Sequence, residues 1–197
     1  MLTIGHLVCG RLVTVGKVVM VTGMQAAGKT TIGPLLAAGL GPLAAAFDGD
    51  VFYRMVVAGN VDMTPARHPE AVRQVGLRYD AAALVAQHYV ESGFDFVYTD
   101  IILGADVHRW MDSIRNAERH LVVLNPSIDA IVEREIGRGK NSYRDWQKPG
   151  MTLEAAVASM QRALQETPRR GLWLDSSGQT PKETVEAIVS DLSTSLY

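Results

Sequence analysis

The residues most able to do chemistry stand together in "GMQAAGKTT", Gly23 to Thr31, whose first eight satisfy the spacing G-x-x-x-x-G-K-[ST]. Gly23 and Gly28 permit backbone conformations closed to other residues, so the N–H groups of Met24, Gln25, Ala26 and Ala27 can turn inward around phosphates. Lys29 can reach the outer phosphates and the Thr30 hydroxyl can coordinate magnesium, with Thr31 completing the loop. The expected ligand is a nucleoside triphosphate, taken as ATP, with Mg2+.

Acids follow at two places. "AAAFDGDVFYRM" places Asp48 and Asp50 just past an apolar run, where two carboxylates opposite a phosphate loop can accept the proton of a substrate hydroxyl and help to organise magnesium. Capping of the next helix is the competing role for both, held as evenly balanced for Asp48, whereas chemistry is preferred for Asp50. "FVYTD" delivers Asp100 at the end of another run, a metal-side acid of the kind that acts on magnesium through water. "SIDAIVEREIGRGKNSYRDWQ" carries Arg134, Arg138, Lys140 and Arg144, cations for a flap that closes over the triphosphate; Glu133 and Glu135, interleaved with them, also suit a solvated charged helix. His6, His68, His88, His108 and His120 have no metal-ligand spacing, so zinc is not implied.

The elements that must position these residues are apolar runs alternating with helix-like segments, the pattern of a parallel sheet covered on both faces. The runs are 17–22, 43–47, 94–100, 120–125 and 171–177. Between the second and third lies a long amphipathic stretch ending at Gly93, and "TPKE" from Thr180 opens a C-terminal helix with a capping box. Pro34 falls inside the helix after the phosphate loop, where an irregularity is expected. With 47% hydrophobic and 20% charged residues over 197 positions and no linker or repeat, one globular domain is expected. Residues 1–16 are an extension that either adds an edge strand or lies outside the fold's needs. A net charge of -2 gives no broad basic face for nucleic acid, no apolar run is long enough to span a bilayer, and Cys9 is the single cysteine; a cytoplasmic protein without nucleic-acid or membrane partners is expected.

These residues resemble the small P-loop kinases, most closely the chloramphenicol phosphotransferase-like antibiotic kinases, from about Lys17 onward. The resemblance implies a three-layer α/β/α fold of the nucleoside monophosphate kinase-like type, with a five-stranded parallel sheet and a small helical lid at about 138–150. It makes Asp50 the base facing the substrate hydroxyl, and "EREIGRGK" an arginine-bearing lid, with Arg138 catalytic and Arg134 on the nucleotide. "FDGD" is equally similar to gluconate and adenylylsulfate kinases, and "NVDMTPARHPEAVRQVGLRYD" matches no drug-binding pocket.

The acceptor is expected between strand two and the long helix, among Met55, Met63, Arg67, His68, Arg73, Arg78 and Tyr79. That set suits an apolar body with hydroxyl, phosphate or carboxylate groups; Arg54, Arg78 and Asp48 are the chosen substrate contacts. The reading is phosphotransfer to a small hydroxylated molecule. A metabolite or nucleotide-sugar kinase, and a nucleotide-hydrolysing regulator without an acceptor, remain as alternatives.

Overall fold

The computed structural model describes residues 6–8, 11–13 and 16–197. His6–Val8 (β1) and Arg11–Val13 (β2) pair antiparallel as a two-stranded sheet separate from the main one, so these described residues do not extend it as an edge strand; Cys9 lies outside the described residues.

The main sheet has five parallel strands: Lys17–Gly23 (β3), Ala44–Asp48 (β4), Asp95–Thr99 (β5), Glu118–Leu124 (β6) and Leu172–Leu174 (β7), in the order β4-β5-β3-β6-β7. Each lies within, or within two residues of, a run expected from sequence, although the last is only three residues long. Strand β3 reads as a near-continuous apolar run because it is buried on both faces: Val18, Val19, Met20 and Val21 have no exposed surface. It pairs with β5 on one side and β6 on the other, Val19 standing opposite Val97 and His120. The chain leaving β3 therefore emerges from the middle of the sheet's C-terminal edge, between the ends of β5 and β6, with β4 beyond β5.

Seven helices accompany the sheet among the described residues: Lys29–Leu40 (α1), Asp50–Met55 (α2), Pro69–Glu91 (α3), Asp106–Ser113 (α4), Ile128–Gly137 (α5), Leu153–Gln165 (α6) and Pro181–Ser190 (α7). They make a three-layer fold, and successive residues of β5 reach its two outer layers. The Tyr98 ring stacks on Trp110 of α4 with centroids 5.0 Å apart, while Thr99 meets α1 at Gly33. A Cβ at Gly33 would stand 2.8 Å from Thr99 Cγ2, so the close approach of α1 to β5 requires glycine there. Helix α1 continues through Pro34 to Leu40, so the expected irregularity does not end it.

Helix α3 buries Ala71, Tyr79, Ala82, Ala83, Ala86 and Val90, mostly small side chains that let a long helix lie close to the sheet. His68 caps its start by accepting from the Glu70 N–H, Pro69 occupies the first turn, and Gly93 follows its end at φ 85°. Thr180 and Glu183 form the expected capping box on α7. No helix among the described residues is long and apolar enough to cross a membrane.

Candidate active site

The loop between β3 and α1 forms one wall of a cleft of about 630 Å3. Gly28 stands at φ 102° immediately before α1; the Thr31 N–H bonds back to its carbonyl at 3.0 Å, and no side chain caps the helix, so its N-terminal end stands uncapped at the cleft as an anion site. Lys29 is buried and donates to the carbonyls of Gly23 and Met24 at 2.9 and 2.8 Å. Burial lowers its pKa to about 8 against the opposing pull of Asp100, Asp50 and Asp48. Thr30 and Thr31 are exposed on the first turn of α1 and line the cleft.

The wall opposite comes from β4, β5 and the start of α2. Asp48, Asp50, Arg54, Thr99, Asp100 and Ile101 all line it. Asp48 accepts the Asp50 N–H at 3.0 Å in a local turn, while Gly49 stands at the start of α2 and no side chain caps that helix. Asp50 opens α2, its side chain 66% exposed toward the mouth of the cleft and 4.0 Å from Arg54 Nη1. Its pKa is raised, first by desolvation against the cleft walls and then by Asp48 and Asp100, with Arg54 and Arg78 opposing.

Asp100 is the most constrained of the three acids. Its Oδ2 accepts from the Tyr98 hydroxyl at 2.6 Å and its Oδ1 from the Ile101 N–H at 2.7 Å. Arg78 Nε lies 3.2 Å from Oδ2 and Nη2 donates to Oδ1 at 3.4 Å. Burial, then Asp100, pushes the Tyr98 phenol up, which keeps it a donor. Burial opposes the Arg78 charge, but Asp100 and the neighbouring tyrosines outweigh it and its pKa is raised. Arg78 and Asp100, given separate substrate and metal roles by sequence, are thus bonded to each other.

The third wall joins α5 to the chain after β7. Arg134 donates to Ala27 O at 3.4 Å, Ser176 O at 2.6 Å and Ser177 O at 3.3 Å, so it ties the phosphate loop to the β7–α7 connection. Arg138 and Lys140 line the cleft, with Arg138 Nη1 3.8 Å from the buried carboxylate of Glu135. Arg144 opens a single 3-10 turn farther along, and Tyr143, wholly buried before it, donates to Gln25 O at 2.9 Å.

The structure thus brings the loop, Asp48, Asp50, Arg54, Asp100, Arg134 and Arg138 to one cleft. Of residues 51–80, Arg54 alone is among its lining residues. The acceptor pocket expected around Met55, Met63, Arg67, His68 and Arg73 is not part of it: Arg73 is turned to Glu70 at 2.7 Å, and Tyr79 is buried with its hydroxyl on Ile101 O at 2.6 Å. Arg78, chosen as a substrate contact, sits behind Asp100 instead. Sequence reasoning missed Tyr143, which ties the segment after α5 to Gln25, and Ser176, Gln179 and Thr184, which line the cleft from the other end of the chain. It also missed Gly49. A Cβ there would lie 2.2 Å from Asp100 Oδ2, and only the two flanking acids of "DGD" drew notice.

Comparison with solved structures gives the same architecture. The chain superposes on a gluconokinase from Sinorhizobium meliloti 1021 with TM-score 0.62 at 18% identity, over 91% of this chain and 92% of that one. The APS kinase of Mycobacterium tuberculosis in complex with AMPPNP and APS gives TM-score 0.62 at 15% identity, over 90% and 98%. A tunicamycin resistance protein of Deinococcus radiodurans gives 0.59 at 19%, over 92% and 98%. The fold is that of the P-loop kinases. No family profile matches the sequence, and no curated protein matches it, so the similarity to the chloramphenicol phosphotransferase-like group stands on the quoted motifs alone.

Proposed function

We propose that the chain transfers the γ-phosphoryl group of ATP to a hydroxyl of a small molecule, an antibiotic or related natural product. The observation that carries this reading is the facing of two chemistries across one cleft, with Lys29 and the α1 N-terminus on one wall and Asp50 on the other. A nucleotide-hydrolysing switch has no need of a carboxylate at that place.

The donors present fit magnesium. Thr30, Asp48, Asp50 and Asp100 offer oxygen only, the ligand type of a hard cation. Among the described residues no group of three or more His, Cys, Asp or Glu is arranged as a ready-made metal cage. That suits an ion carried in on the phosphates and steadied by Thr30 and Asp100, where it would draw charge from the transferring group.

In the proposed reaction the loop N–H groups fix the phosphate chain and Asp50 orients the acceptor hydroxyl. The hydroxyl oxygen bonds to the γ-phosphorus as the bond to the β–γ bridging oxygen breaks, and its proton passes to the Asp50 carboxylate. Lys29 and Arg138 offset the charge developing on the leaving ADP, and the segment at about 138–150 acts as the lid that excludes water.

The test is an acceptor screen with mass detection of the phosphorylated product, run beside Asp50→Asn and Lys29→Ala. Asp50→Asn should lose most phosphotransfer, about 100-fold or more, while keeping nucleotide affinity. Normal use of ATP by Lys29→Ala would overturn the reading.

A further inference from the structure

Every arginine that the acceptor side of the chain offers to an anionic substrate is already facing a carboxylate, apart from the exposed Arg67 outside the cleft. Arg54 faces Asp50 at 4.0 Å, Arg73 faces Glu70 at 2.7 Å, and Arg78 faces Asp100 at 3.2 Å. The acceptor wall itself presents Asp48, Asp50 and Asp100 against Arg54, with Arg78 spent behind Asp100. Cations of the cleft gather at the other end beside the phosphate loop, where Lys29 donates to main-chain carbonyls, Lys140 lines the cleft, and Arg138 stands 3.8 Å from Glu135.

From this polarity we infer that the acceptor is a hydroxylated molecule without net negative charge, neutral or cationic. The inference rests on the phosphotransfer reading and narrows it. A carboxylate or phosphate on the acceptor has two ways to find a cation, and each works against the site. Using Arg54 sets the anion beside Asp50, 4.0 Å from that guanidinium, and against Asp48 and Asp100 on the same wall, so like charge faces like charge where the acceptor hydroxyl must sit. Using Arg78 means taking it from Asp100, a carboxylate 5% exposed, which would be left with Tyr98 and its own backbone neighbour. A neutral polyol asks for neither exchange, and an ammonium group near Asp48 is attracted. The gradient along the cleft also orients binding, since a triphosphate is drawn to the Lys29 end and repelled from the Asp50 end.

The experiment uses the full chain with ATP and Mg2+, and acceptors in matched pairs that differ by one charge: a nucleoside and its 5′-monophosphate, an amino sugar and the corresponding uronate, a cyclitol and its monophosphate. Product is detected by mass, and kcat/KM is compared within each pair. The neutral or cationic member should lead by at least about tenfold. Asp48→Asn, which keeps an acceptor for the Asp50 N–H, should narrow that lead several-fold by removing one carboxylate. An anionic member used as well as or better than its partner overturns this inference and leaves phosphotransfer standing. Failure of both members of every pair, with ATP bound, overturns the phosphotransfer reading and this inference with it.

Discussion

Gly49 and the carboxylate of Asp100 occupy space that a single added carbon would contest, with a Cβ at 49 falling 2.2 Å from Oδ2 and 2.3 Å from Cγ. Gly49 has ordinary helical torsions, φ -58° and ψ -22°, so it is proximity and not backbone conformation that demands glycine. Gly49→Ala should push Asp100 off Tyr98 and Arg78, cost about 1–3 kcal/mol of stability by overpacking, and cut phosphotransfer severely. Denaturant unfolding and turnover measured on the same preparation check this; an alanine variant with unchanged turnover would falsify the positioning role of Gly49.

Lys29 gives a pH signature. Its pKa is lowered from 10.5 to about 8, so between those values the unfolded chain binds the extra proton and the nucleotide-free protein gains stability from this group as pH rises. Affinity for ATP should move the other way, falling above about pH 8 as the ammonium is lost. Calorimetric titrations between pH 7 and 9.5 should show that decline, and Lys29→Met should flatten it.

Asp50 sets the opposite limb. With its pKa raised above the ordinary 3.8, the acid side of the rate profile should sit above the usual carboxylate range. Asp48→Asn, by removing the largest neighbouring charge that raises it, should move that limb to lower pH. A limb that stays in place would assign the titration to another group.

Arg134 is engaged before any ligand arrives, through Ala27 O, Ser176 O and Ser177 O. Arg134→Met should therefore destabilise the nucleotide-free protein by about 2 kcal/mol, as expected for hydrogen bonds to a charged donor. A variant that unfolds like the parent but binds ATP poorly would make Arg134 purely a ligand contact.

Tyr143 ties the segment after α5 to the phosphate loop with one bond of 2.9 Å to Gln25 O. Tyr143→Phe removes only that bond and should cost about 1 kcal/mol while raising the KM for ATP several-fold. Thermal unfolding and steady-state kinetics separate the two effects.

What could be read from sequence was what local chemistry dictates. The loop at Gly23–Thr31 announces itself because its glycines, lysine and threonines lie close together in the chain, and Asp48, Asp50 and Asp100 because each ends or closely follows an apolar run. The strand runs were equally legible, since a doubly covered parallel sheet needs continuous apolar segments. The acceptor side was not. Arginines in an amphipathic helix look alike whether they face solvent or a buried acid, and only the folding of α3 against β5 puts Arg78 on Asp100. Tyr143 and Ser176 read as ordinary polar and aromatic residues because the loop they serve lies more than a hundred positions earlier in the chain.

The three bonds of Arg134 all end on main-chain oxygens, and that makes the joint tolerant of substitution on one side only. Carbonyls are supplied by any residue, so a substitution at 27, 176 or 177 keeps the accepting oxygen, whereas one at 134 removes the donor. A junction between two distant stretches of sequence thus depends on side-chain type at one position, and a substitution there removes all three bonds at once.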